Sequence, residues 1–128
     1  MIYGIGTDIV EISRISQSID RFGAKFINRI FTETEQKAAA TRQDQSRFYA
    51  MRFAAKEACW KALSPGRAMG IGWHDLEVIS ADDGQPLMRL HGKAADFFAK
   101  ETNHQGKCYL SLSDDGGMAL AFVTLSAS

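Results

Sequence analysis

Only two cysteines, Cys59 and Cys108, occur in the chain, and neither belongs to a CxxC pair or to metal-ligand spacing. A disulfide framework and a zinc ribbon are therefore excluded, and two buried thiols in a reduced, cytoplasmic protein are expected. There is no net charge, because fifteen basic residues balance fifteen acidic ones. Nothing pulls the whole molecule toward nucleic acid or a membrane surface, and attraction to a charged partner has to come from a local patch. No run approaches the ~20 apolar residues needed to cross a bilayer. Met1-Ile2-Tyr3-Gly4 lacks the basic start and long apolar stretch of a signal peptide. Repeats and low-complexity tracts are absent. His74, His91 and His104 share no metal-ligand spacing and read as structural or solvated. What remains is an ordinary globular composition, with 128 residues suiting one domain over 1–128.

The most informative stretch is Arg52-Phe-Ala-Ala-Lys-Glu-Ala-Cys-Trp-Lys-Ala-Leu63, which nothing interrupts before Ser64-Pro65-Gly66. At about 100° per residue, Phe48, Met51, Ala55, Ala58, Cys59 and Ala62 share one face, and their small side chains suit close packing on a sheet. The opposite face carries Tyr49, Phe53 and Trp60 around Glu57 and Lys61. A helix apolar nearly all round is a buried one. An exposed Glu-to-Lys pair one turn apart would add only about 0.2–0.5 kcal/mol, but aromatic surroundings are not those of a solvated pair.

Upstream, Ile2 to Val10 reads as a strand with Tyr3, Ile5, Thr7 and Ile9 on one face and Gly4, Gly6 and Asp8 on the other. Glycine and aspartate are poor strand formers. Two glycines clear room for a ligand or for a second backbone. Asp8 suits either a ligand position or a helix cap, with Glu11 completing a capping box. Glu11 to about Arg29 has the helical spacing of Ile12, Ile15, Ile19, Phe22 and Phe26, with Gly23 as a weak point. From Ile12 to Phe31, Arg14, Arg21, Lys25 and Arg29 stand against Asp20 alone, a cationic run that is either a solvated face or a docking patch. Thr32-Glu-Thr-Glu35 is a capping box for a short helix. Gly66-Arg-Ala-Met-Gly-Ile-Gly72 lacks the spacing and preceding strand of a P-loop. Trp73 to Ser80 and Pro86 to His91 form a hairpin, Lys93 to about Thr102 a helix, and Cys108 onward a second hairpin turning at Asp114-Asp-Gly-Gly117. The expected class is α+β, an antiparallel-dominated sheet packed on a long central helix in the order β-α-α-α-β-β-α-β-β.

Gly4-Ile-Gly-Thr-Asp-Ile-Val-Glu11, combined with the Arg52–Leu63 stretch, resembles the holo-acyl-carrier-protein synthases, the bacterial 4′-phosphopantetheinyl transferases. The resemblance spans essentially the whole chain. It implies the 4′-phosphopantetheinyl transferase fold and transfer of 4′-phosphopantetheine from coenzyme A to a serine of apo acyl carrier protein, releasing adenosine 3′,5′-bisphosphate. Asp8 and Glu57 match the family's Mg²⁺ ligands, and Lys61 is the third catalytic position, meeting phosphate. Lys61, Ser64 and Gly66 are the implied coenzyme A contacts. Arg14, Arg21 and Lys25 are the implied contacts to the acidic carrier protein. The resemblance further implies a homotrimer with coenzyme A lying across subunit boundaries. Two positions depart from the family pattern. Ser64-Pro65-Gly66 replaces a Gly-Thr-Gly-like turn, and Asp114 stands where many members have histidine. The competing expectation is a non-catalytic coenzyme A or nucleotide-binding module of the same fold, which intact Asp8, Glu57 and Lys61 disfavour.

Overall fold

The fold was obtained as a computed structural model and is described for residues 1–64 and 70–128. Chain order is β1 (Ile2–Glu11), α1 (Ile12–Phe22), α2 (Ala24–Ile30), α3 (Glu33–Ala40), α4 (Gln45–Ala62), β2 (Leu76–Ser80), β3 (Pro86–Leu90), α5 (Gly92–Thr102), β4 (Lys107–Asp115) and β5 (Met118–Ser126). The strands form two antiparallel sheets, one ordered β1-β5-β4 and the other β2-β3. This is the expected α+β architecture with one additional break. Gly23 adopts φ 57° and its amide closes on the Ile19 carbonyl at 2.7 Å, so the first helical run becomes α1 and α2.

The glycine strip of β1 is explained by α4. A Cβ built on Gly4 would lie 2.1 Å from the Ala62 carbonyl oxygen, and one on Gly6 would lie 1.9 Å from that of Ala58. Of the two uses open to the cleared strip, the second backbone is the one realised. Ala54, Ala55, Ala58, Cys59 and Ala62 are buried on the helix side, and Ala119, Ala121, Val123 and Leu125 come up from β5. Small residues on both surfaces allow the helix axis to approach the sheet closely, and dispersion contacts then accumulate along it.

Asp8 is not a helix cap. The strand continues past it, with Ile9, Val10 and Glu11 still paired to Leu120, Ala119 and Met118. Glu11 occupies the N-cap of α1 without a side-chain bond, and the Ile12 amide donates instead to the Gly117 carbonyl at 2.9 Å. At α3 the predicted box forms in both directions. Thr32 accepts from the Glu35 amide and the Glu35 carboxylate accepts from the Thr32 amide. Trp73 to Asp75 is a 3-10 turn rather than the start of β2, because the Asp75 carboxylate closes it onto the Gly72 amide at 3.0 Å. The last hairpin turns at Gly116 and Gly117, both at positive φ, and leaves Asp114 and Asp115 within β4.

Candidate active site

Lys61 and Asp8 meet although 53 residues separate them. The Lys61 Nζ donates to Asp8 Oδ1 at 3.1 Å and to the Thr7 carbonyl oxygen at 2.9 Å. Both members can be placed because β1 runs against α4 with nothing but glycine between the two backbones. Asp8 follows that strip by two residues, so its carboxylate emerges beside the last turns of the helix. The pair is unequally covered: the Asp8 side chain is 17% exposed and that of Lys61 54%.

Glu57 lies one turn before Lys61 on α4. It shares with Asp8 a cleft of about 300 Å³ whose other walls include Arg14, Ser18, Phe26 and Phe53. The aromatic side of the helix is held from outside by Trp73, which stacks on Phe53 at 5.3 Å between ring centroids and tilts against Trp60 at 4.4 Å. Two carboxylates from different elements therefore share one half-apolar concavity, with an ammonium bonded to one of them. No group of three or more histidine, cysteine, aspartate or glutamate side chains that could hold a metal exists among the described residues. Two carboxylates nevertheless suit a hard divalent ion that keeps several of its own waters, as Mg²⁺ does.

A family model for the 4′-phosphopantetheinyl transferase superfamily matches residues 4–123. The holo-[acyl-carrier-protein] synthase of Roseobacter denitrificans is 47% identical over 129 residues, covering 99% of this chain and 96% of that protein. The chain belongs to the holo-[acyl-carrier-protein] synthases. Among solved structures, the synthase of Neisseria meningitidis superposes with a TM-score of 0.86 at 34% identity, covering 98% of this chain and 99% of that one. The Bacillus anthracis synthase, crystallised with CoA (3′,5′-ADP), superposes at 0.81 and 35% identity, covering 100% and 99%.

In this synthase the remaining sequence-predicted residues fall into separate places. Arg14 reaches the acid-bearing cleft. Arg21 is seven residues on, back on nearly the same helical face, with its guanidinium 5.2 Å from the Phe22 ring centroid. Lys25 is exposed on α2, beyond the Gly23 break, so it does not continue the Arg14 face by helical spacing. Ser64 is exposed just after α4, its amide donating to the Lys61 carbonyl at 3.2 Å. Gly66 and Pro65 lie outside the described residues. Asp114 is taken up by Arg47, which donates through Nε at 2.9 Å and Nη2 at 2.6 Å. Those hydrogen bonds hold the Asp114 carboxyl below the usual carboxylate range.

Two features carried no assigned role in the sequence. Lys56, next to Glu57, is wholly buried and bonded to Glu35 at 2.6 Å and to the Ile30 carbonyl at 2.7 Å. Desolvation lowers its pKa, partly offset by Glu35. Arg52 lines a second cleft, of about 490 Å³, with Arg42, Ser80 and Ser111. Burial, helped by repulsion from Arg42, lowers its pKa to about 10, and its buried Nε has no hydrogen-bond partner among the described residues. The available signal was Arg52 itself, a fourth charge in a motif that also carries Lys56, Glu57 and Lys61 among apolar residues.

Proposed function

We propose that the chain is a single-domain, Mg²⁺-dependent enzyme that transfers 4′-phosphopantetheine from coenzyme A to a serine hydroxyl of apo acyl carrier protein. The other product is adenosine 3′,5′-bisphosphate, and the setting is the bacterial cytoplasm. The observation that carries this reading is that Asp8 and Glu57 line one cleft while Lys61 is paired with Asp8 at its edge. Asp8 and Glu57 would hold the ion. When bound, Mg²⁺ would neutralise pyrophosphate charge and polarise the phosphorus toward attack. Lys61 supplies a mobile positive charge for the phosphate oxygens, stabilising the leaving bisphosphate. Phe26 and Phe53 keep one side of the cleft apolar, which strengthens every charge interaction inside it. Arg14, on the rim of the same cleft, is where the acidic carrier docks, with Arg21 extending that face and Lys25 joining from α2. The cleft lined by Arg42 and Arg52 brings two positive charges together and suits the phosphorylated adenosine end of the coenzyme.

The assembly is a homotrimer. On the sheet face turned away from α4, Ile9 is 60% and Phe122 47% exposed, with Ile5, Leu120 and Tyr109 beside them. Register sets Ile9 against Leu120 and Thr7 against Phe122, so these side chains form one continuous apolar patch. Copies of the chain would cover it, and coenzyme A would lie across the boundary between them. A monomer by sedimentation at micromolar concentration, still active, would remove this part of the reading. Phe122→Glu is expected to dissociate the trimer and abolish transfer together.

Incubation with coenzyme A, Mg²⁺ and apo carrier protein tests the reaction. A carrier heavier by one phosphopantetheine is expected, and a carrier of unchanged mass leaves the non-catalytic binding module standing.

A further inference from the structure

Lys61 occupies the kind of place a divalent ion would need. Two of its three N–H donors are spent on hard oxygens, the Asp8 carboxylate at 3.1 Å and the Thr7 carbonyl at 2.9 Å. Carboxylate and carbonyl oxygens are also the donors that Mg²⁺ and Mn²⁺ accept. The ammonium is nevertheless poorly anchored. Its side chain is 54% exposed and stands in the last turn of α4 on a flexible four-carbon stem, whereas Asp8 is fixed within a strand and 17% exposed. The cation can leave and the anion cannot.

We propose that Lys61 is an exchangeable internal cation, seated on Asp8 until the phosphates of coenzyme A draw it away, so that coenzyme A and divalent-ion binding are coupled through this side chain. The inference rests on the reading above that Asp8 and Glu57 hold the ion. With Lys61 in its seat, one carboxylate oxygen is occupied and an arriving divalent ion meets a like charge in a cleft where water screens incompletely. A phosphate offers the ammonium a stronger acceptor, and its departure frees Asp8 Oδ1. Linkage then requires the reverse effect of equal size: a bound ion releases Lys61 and raises affinity for the phosphates. The seat also keeps Asp8 compensated while the enzyme is empty, because a half-buried carboxylate without a counter-ion is costly.

The test titrates the full-length protein with Mn²⁺, reading free ion by electron paramagnetic resonance, first without coenzyme A. Lys61→Met should bind Mn²⁺ about tenfold more tightly than wild type, a difference of about 1.4 kcal/mol. Lys61→Arg, which keeps the charge, should bind no more tightly than wild type. Coenzyme A, after subtraction of the Mn²⁺ it binds alone, should tighten the ion in wild type by a larger factor than in Lys61→Met. Equal Mn²⁺ affinity of wild type and Lys61→Met overturns the proposal. The underlying reading fails separately. If Asp8→Asn and Glu57→Gln leave Mn²⁺ binding unchanged, those acids do not hold the ion. Absence of Mn²⁺ binding in every protein, with or without coenzyme A, removes both.

Discussion

Two lysine–carboxylate pairs hang from α4 five residues apart, and they have almost nothing else in common. Lys56 and Glu35 are each 0% exposed and 2.6 Å apart. Glu35 also accepts from the Thr32 amide at 2.9 Å and the Val78 amide at 2.8 Å, while Lys56 donates to the Ile30 carbonyl. Every polar atom of that pair is engaged in tying α3, α4 and β2 together. Lys61 and Asp8 are 3.1 Å apart at the edge of a cleft, with the ammonium half in solvent. The first pair cannot change state without breaking the core, since a buried charge left alone loses its compensation. The second is exposed enough to be exchanged, as the proposed role of Lys61 toward the phosphates of coenzyme A requires. Adjacent turns of one helix thus divide the labour, burial deciding which lysine is structural and which is available for chemistry.

That division can be broken from either side. The largest effect is expected on activity at the acids. Asp8→Ala and Glu57→Ala should each lower transfer by at least about 10²–10³-fold, the scale of losing one transition-state electrostatic contact. Unfolding in urea should remain cooperative and near wild type. Near-normal turnover at limiting Mg²⁺ would show that the residue is not an ion ligand. Next is Lys56→Ala, which strands the Glu35 carboxylate and should cost about 3–5 kcal/mol in a urea titration. Replacing both partners, Lys56→Met with Glu35→Leu, should recover only part, because the Thr32 and Val78 amides would then lack their acceptor. Full recovery would mean the pair is dispensable to the fold.

Lys61→Ala should behave oppositely, changing stability by about 1 kcal/mol or less while slowing transfer and weakening coenzyme A binding. A stability loss matching that of Lys56→Ala would erase the distinction. The smallest effect concerns Glu77, beside the buried pair, which accepts from Thr32 Oγ1 and from His91 Nε2 at 2.9 Å. Burial pushes this carboxyl up, but the Thr32 and His91 hydrogen bonds outweigh it together with the charges of His91 and Arg89, so its pKa lies below the ordinary 4.5. A depressed folded-state value means stabilisation that is present above about 4.5 and lost as pH falls through the folded value. Melting temperature should therefore drop more steeply below about pH 4.5 in wild type than in Glu77→Gln. Parallel curves would show that Glu77 does not supply the acid sensitivity.

Local chemistry was legible from the chain. The capping box at Thr32 and Glu35, the weak point at Gly23 and the glycine hairpin of β4 and β5 are short-range devices; the box formed as expected, the weak point became a full break, and the hairpin turn narrowed to Gly116 and Gly117. The Asp8 and Glu57–Lys61 motifs were likewise visible as residues out of place, acids on a stripped strand and among aromatics. Helical spacing assigned no role to Lys56 beside Lys61. Periodicity cannot rank the sides of a helix that is apolar nearly all round, because each side can be buried. Only contacts remote in sequence decided that Lys56 meets Glu35 and that Lys61 meets Asp8. The same holds for Asp8, which the continuing strand removes as a cap, and for the glycines as room for a ligand or a backbone. Short-range sequence does not distinguish those alternatives. The approach of α4 to β1 separates them, because Gly4 and Gly6 leave space for the Ala62 and Ala58 carbonyls and for nothing larger.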